Sequence, residues 1–195
     1  TSILPNCSKL PIDISVFIVS FLIALCPCWL VDNNYVPIDL DAAAAWYTEA
    51  SEKGYAKAQN NLGYLYFIGA VGGSPDYGSA IKWFTKAAEQ GNAGAQNNLG
   101  ICYESGKGVA RSEEQAMIYY TDSAKQGHPS AQSSLGYLYL KQRKFERALE
   151  SLRKAAEQSD KEAFYHLAQM YHHGLHVEKS DATAFMYYTK SAEQG

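Results

Sequence analysis

Residues 80–116 read AIKWFTKAAEQGNAGAQNNLGICYESGKGVARSEEQA, and much of the chain repeats this stretch with variations. Ala80, Trp83, Phe84, Ala87 and Ala88 fall at i, i+3, i+4, i+7 and i+8, the spacing of one face of an α-helix. Gly91 is placed to end that helix, because glycine adopts the left-handed conformation of a helix C-terminus without strain. A second helix repeats the pattern with Ala95, Asn98, Leu99, Cys102 and Tyr103 and is closed by Gly106. Two short amphipathic helices joined by a tight turn cannot bury both apolar faces by themselves. They need neighbours of the same kind.

Those neighbours lie on either side. The pair Trp83-Phe84 has counterparts at Trp46-Tyr47, Tyr119-Tyr120, Ser151-Leu152 and Tyr187-Tyr188. The turn position reads Gly54, Gly91, Gly127, Ser159 and Gly195. The second helix carries Ala58, Ala95, Ala131 and Ala163, then Leu62, Leu99, Leu135 and Leu167, then Tyr66, Tyr103, Tyr139 and Tyr171. Gly63, Gly100, Gly136 and Ala168 mark a place that demands a small side chain between helices. A period of 32 to 37 residues built from helix pairs is the signature of an α-solenoid.

The strings KAQNNLGYLY, KAAEQGNAGAQNNLGICYESGKGV, SAQSSLGYLY and YTKSAEQG resemble Sel-one-like repeats (SLR), a branch of the tetratricopeptide (TPR) superfamily. The resemblance covers roughly Asp41 to Gly195. It implies an all-α, right-handed α-α solenoid whose concave surface serves as a scaffold for protein or peptide partners, without catalytic, cofactor or metal residues. Some exported relatives staple each repeat with a disulfide. The cysteines here do not match that arrangement, since Cys7, Cys26 and Cys28 precede the repeats and Cys102 stands alone in a core position.

Residues 1–38 belong to a different regime from the repeats at 39–195, which comprise four full copies and the first helix of a fifth. The run Ile14–Val31, ISVFIVSFLIALCPCWLV, contains no charged residue. As a helix it would reach about 27 Å, slightly less than the hydrocarbon core of a bilayer. Three readings stand open: the hydrophobic part of a secretory signal, an N-terminal membrane anchor, and a buried helix capping the first repeat. Lys9 before the run and Asp32, Asp39 and Asp41 after it place the repeats across the membrane, so the chain is expected to be exported. The approach to Cys26 only loosely resembles a lipoprotein signal. At the other end, the last helix keeps the full interior pattern Ala184, Tyr187, Tyr188, Ser191 and Ala192. A longer array, or another chain covering this edge, is the expectation.

Connections carry their own signals. Asp39 or Asp41 could cap the first helix, Ser74 followed by Pro75 the third, and Ser112-Glu113-Glu114-Gln115 forms a capping box. Tyr139 and Ser151 are only 12 positions apart, against 16 for Tyr103 and Tyr119, so the third connection is compact and exposes Lys141, Arg143 and Lys144. These cations are read as a solvated turn, with an acidic partner patch as the functional alternative.

Candidate chemistry is sparse. His166, His172, His173 and His176 gather in the fourth repeat, but zinc needs three or four converging ligands, and Gly174 breaks the helix among them. Ser151-Leu152-Arg153-Lys154 matches the S-x-x-K nucleophile motif, and some members of the resembled family have been associated with β-lactam binding. Ser151 nevertheless falls at the inward position of the repeat, and the companion motifs S-D-N and K-T-G are absent. The run Glu104-Ser105-Gly106-Lys107-Gly108 fails the phosphate-loop spacing. The Asn60-Asn61, Asn97-Asn98 and Ser133-Ser134 pairs are read as bonding neighbouring backbone turns. A net charge of −3 argues against nucleic acid as a partner. The expected function is a non-enzymatic scaffold or adaptor; a β-lactam-binding enzyme using Ser151 and Lys154, or a structural envelope component, is the alternative. Membrane association would come through the N-terminal segment.

Overall fold

The computed structural model describes residues 28–31, 34–37 and 40–194, with side chains from Leu40 onward. Cys28–Val31 (β1) and Asn34–Pro37 (β2) form an antiparallel hairpin in which Val31 pairs with Asn34 and Cys28 with Pro37. Two residues, Asp32 and Asn33, separate the strands in the sequence. Residues 14–27 of the apolar run lie outside the described residues. Its last four residues are strand instead of helix, and their sequence, Cys-Trp-Leu-Val, is rich in strand-favouring side chains.

From Leu40 the chain is all-α, a series of paired helices. They are α1 (Leu40–Glu52), α2 (Ala56–Ile68), α3 (Tyr77–Glu89), α4 (Ala93–Ser105), α5 (Glu113–Lys125), α6 (Pro129–Lys141), α7 (Phe145–Glu157), α8 (Lys161–His173) and α9 (Asp181–Ala192). The contacts divide into two units, residues 1–95 and 96–195. In the first, Tyr47, Leu62 and Leu65 form the core with Ala43, Ala50 and Ala58. The second holds two clusters, one around Tyr120, Leu135 and Leu138, the other around Leu152, Leu167 and Met170.

The helix ends follow the sequence closely, with three corrections. Gly54, Gly91 and Gly127 take positive φ, as does Ser159 (φ 61°), which confirms that serine occupies the glycine slot of the repeat. The compact third connection keeps a left-handed residue, Arg143 at φ 57°, one position beyond the register of Gly69, Gly106 and Gly174, which Gln142 occupies. The first correction is that α1 begins at Leu40, so Asp41 sits inside its first turn; Asp39 lies outside the described residues. The second is that the cap of α3 is Asp76, which accepts from Ser79 N at 3.0 Å, and Ser74 lies further out. Ser112 and Ser180 cap α5 and α9 through their hydroxyls, each at 3.2 Å.

The third correction concerns which residue of the bulky pair points inward. Tyr47, Phe84, Tyr120 and Leu152 are at most 1% exposed, whereas Trp46 is 37% exposed and Tyr119 and Ser151 are half-buried. The buried member lies flat against the small-residue position. A Cβ on Gly63 would come within 2.7 Å of the Phe84 ring, one on Gly100 within 2.5 Å of Tyr120, and one on Gly136 within 2.6 Å of Leu152. The repeated glycine is therefore a close-packing requirement between one repeat's second helix and the next repeat's first.

A glutamine pairing, which the sequence pattern contains but which periodicity of apolar residues does not flag, marks the same interfaces. Gln90 Nε2 donates to Gln59 Oε1 at 2.7 Å, Gln126 to Gln96 at 2.7 Å and Gln158 to Gln132 at 3.0 Å. In the fourth repeat Phe164 replaces the acceptor and stacks on Tyr187, ring centroids 6.0 Å apart. The main-chain N–H of Asp76, Ser112, Lys144 and Ser180 donates to Tyr66, Tyr103, Tyr139 and Tyr171 respectively, at 2.9 to 3.0 Å. The short connection and the long ones thus close on the same tyrosine carbonyl.

Candidate interaction surface

The fourth repeat departs from the others at two adjacent positions. Where earlier copies carry Asn60-Asn61, Asn97-Asn98 and Ser133-Ser134, α8 carries Tyr165-His166. His166 stacks on Tyr137 of α6, centroids 5.1 Å apart and planes 22° from parallel. Tyr165 meets His166 edge-on at 5.4 Å and Tyr188 of α9 edge-on at 5.8 Å. Four rings from three helices therefore form one connected cluster, with Tyr137 38% and Tyr165 45% exposed.

Hydrogen bonds hold the cluster's orientation. Gln169 Nε2 donates to the Tyr165 hydroxyl at 3.2 Å, and Gln169 Oε1 lies 3.2 Å from His166 Nδ1. The amide oxygen can only accept, so this contact assigns the proton to Nδ1. Burial lowers the His166 pKa below the usual histidine value, against smaller opposing effects of Gln169, Glu162 and Asp160, and favours the neutral ring. Lys141 Nζ lies 5.8 Å from the Tyr137 centroid while its ammonium pairs with Glu113 Oε2 at 2.6 Å. The surface is thus aromatic, polar-tipped and edged by an ion pair.

Tyr188 is half-exposed, whereas its equivalents Tyr47, Phe84, Tyr120 and Leu152 are buried. By register, the methyl of Ala168 stands where Gly63, Gly100 and Gly136 admit a ring or branched side chain onto bare backbone. Phe185 of α9 is 74% exposed where Leu149, its equivalent, is 9%. The cluster was not foreseen from the sequence. Its signal was the replacement of a repeated polar pair by two rings.

The residues singled out for chemistry do not converge. His172 Nδ1 bonds Asp181 Oδ1 at 2.7 Å, His173 lies edge-on to His172, and His176 occupies a left-handed turn position. Among the described residues no group of three or more histidine, cysteine or acidic side chains could hold a metal. Lys154 Nζ is held by Glu150 Oε1 at 2.7 Å, and Ser151 is half-buried on α7, so the expected inward position of Ser151 is corrected. Of the three cations in the compact turn, Lys141 is paired with Glu113 and Lys144 donates to Gln142 Oε1 at 2.8 Å. The polar pairs divide: Ser133 bonds the Ser130 carbonyl, Asn60 bonds the Asn61 side chain, and Asn97 Oδ1 is buried without a partner. Cys102 is fully buried and its thiol is pushed up to about 11 by desolvation, which makes it a packing residue.

Among curated proteins none matches this chain. Solved structures do. One is c5321, a protective antigen of uropathogenic Escherichia coli with an SLR fold: 32% identity over 92% of this chain, TM-score 0.75. The chain spans 37% of that protein's length. A Sel1 repeat protein from Oxalobacter formigenes is 29% identical over 99% of this chain and 74% of its own, TM-score 0.77. A further sel1 repeat protein from Klebsiella pneumoniae, at 23% identity, TM-score 0.58 and coverage of 77% and 73%, shows the shared fold. The Sel1 repeat profile matches residues 32–55, 56–92, 93–128, 129–160 and 162–195, each later window opening near the start of a second helix. Proteins of this kind generally mediate protein–protein interactions. With paired helices, glycine-mediated packing and profile matches from residue 32 to 195, the chain belongs to the Sel1 repeat family.

Proposed function

We propose that this chain is an adaptor that holds a protein or peptide partner against the Tyr137–His166–Tyr165–Tyr188 cluster. The observation that carries the reading is the connected, half-exposed ring system, two of whose rings, Tyr165 and His166, stand where the other repeats have small polar residues. Tyrosines offer large contact area at small conformational cost and are favoured anchors in interfaces. Affinity capture from the native compartment tests it. The wild-type chain should retain a specific partner that the Tyr137→Ser/Tyr165→Ser double variant loses. An unchanged set of captured proteins with the folded double variant contradicts the reading.

The scaffold is proposed to work outside the cytosol, attached or directed there by the apolar run at 14–31. Support comes from the charge asymmetry around that run and from the protective-antigen description of the similar Escherichia coli protein. Among the described residues no helix is long and apolar enough to cross a membrane; residues 14–27 lie outside them. A reporter active only after export, fused after Gly195, is expected to be active. Silence of that reporter alongside a working cytosolic one overturns the location.

A further inference from the structure

Tyr66, Tyr103, Tyr139 and Tyr171 occupy equivalent positions near the ends of the second helices. In two of these places the ring is stacked on an aromatic residue of the next helix: Tyr103 on Tyr119 at 5.5 Å and 13°, and Tyr171 on Tyr187 at 5.7 Å and 23°. Beside Tyr66 the residue in that register is Trp83, and beside Tyr139 it is Ser151, which has no ring at all. The α6–α7 pair keeps the common register at three points. Leu152 lies on Gly136 as Tyr120 lies on Gly100, Gln158 meets Gln132 as Gln126 meets Gln96, and Lys144 N closes on Tyr139 O. Serine in that register leaves the Tyr139 ring without the phenol that Tyr103 and Tyr171 receive.

The residues near Tyr139 and Ser151 are basic. Arg147, one turn before Ser151 on α7, places its guanidinium 6.0 Å from the Tyr139 centroid, the outer limit of a cation–π contact. Arg147 is exposed and, among the described residues, neither it nor Arg143 is in an ion pair. Glu150, which Arg147 influences, is already bound by Lys154. Over residues 143–147 the formal charges are Arg143, Lys144 and Arg147 against Glu146, a balance of +2. Tyr137, in the cluster described above, is two residues away and projects to the other side of α6, so the two places are distinct.

We propose that the Tyr139 ring, beside Ser151, receives an aromatic side chain carried on an acidic peptide segment. The inserted ring stacks on Tyr139 as Tyr119 stacks on Tyr103, and flanking carboxylates pair with Arg147 and Arg143. Aromatic anchoring supplies the affinity, and the basic turn selects an acidic carrier.

Fluorescence anisotropy with the full chain and the labelled peptide EDEYEDE tests this. Saturable binding below about 1 mM is expected, with EDEAEDE and KKKYKKK at least about tenfold weaker. Ser151→Tyr fills the place with the chain's own ring and should weaken binding of EDEYEDE by at least about tenfold while raising the melting temperature; Ser151→Ala should leave binding intact. Should Ser151→Tyr fail to fold, Tyr139→Leu removes the stacking platform and is expected to show the same loss. Equal binding of the tyrosine and alanine peptides, unchanged binding after Ser151→Tyr or Tyr139→Leu in a folded protein, or no saturable binding of EDEYEDE overturns the proposal.

Discussion

Replacing Gly100 with leucine is expected to cost about 3 kcal/mol, at the top of the range for overpacking a core. The reason is local and steric. The Cβ alone would sit 2.5 Å from both Cδ1 and Cε1 of Tyr120, and that ring cannot swing aside. Tyr120 is fully buried, and its hydroxyl donates to Glu104 Oε2 at 2.8 Å. Glu114 is exposed on the helix that carries Tyr120, and Glu114→Ala should cost below about 0.5 kcal/mol. Urea unfolding of both variants gives the comparison. Similar costs would mean that Gly100 does not occupy a helix contact, and the repeat register would fail.

Removing the other side of that contact should be costlier still. Tyr120→Ala takes away a buried ring and is expected to lose about 3–5 kcal/mol. Tyr120→Phe keeps the ring and loses the hydroxyl's bonds to the Glu104 carboxylate and to the Ser134 side chain, about 1.5–3 kcal/mol. Burial first, then the charge of Glu104, holds the Tyr120 hydroxyl well above the ordinary phenol pKa, so it is the donor at all moderate pH values. The difference between the two variants isolates the packing. If Tyr120→Ala is no more destabilising than Tyr120→Phe, the ring contributes little, and the glycine contact is not what holds successive repeats together.

The helix pairs and their turns were legible because each copy repeats the same physical constraints. Where the turn needed positive φ the sequence supplied glycine, and the serine substituted at 159 still adopts it. The small-residue position was legible for the same reason: Gly63, Gly100 and Gly136 recur where Phe84, Tyr120 and Leu152 press on bare backbone. Other features were under-determined. Trp83 and Phe84 are adjacent, about 100° apart on the helix, and both are large, so spacing alone could not say which one is fully buried. Ser151 was misplaced inward by that ambiguity. Asp76 outcompeted Ser74 as a cap because the helix starts two residues later than the Ser-Pro signal implied. Strand formation at Cys28–Val31 was hidden within a continuous apolar run, where periodicity cannot separate strand from helix.

The interaction surface was the least legible part, since a repeat reading rewards agreement between copies. Tyr165 and His166 are informative because they disagree with Asn60-Asn61, Asn97-Asn98 and Ser133-Ser134. Positions that pack must agree from copy to copy, whereas positions that meet a partner are free to differ. The glutamine pairs belong to the first kind, and their recurrence in KAQNN, GAQNN and SAQSS, and again before the turns at 90, 126 and 158, was visible. What periodicity could not supply was that each donor in one repeat meets an acceptor in the repeat before it.

A photo-activatable amino acid placed at Tyr165, and in a parallel protein at Glu114, tests the adaptor reading most directly. After irradiation in the native compartment, the chain carrying the probe at position 165 is expected to form a discrete covalent adduct with another protein. The probe at position 114 should form none. Adducts absent at 165, or equally abundant at both positions, would contradict the assignment of the tyrosine–histidine cluster as the partner-binding surface.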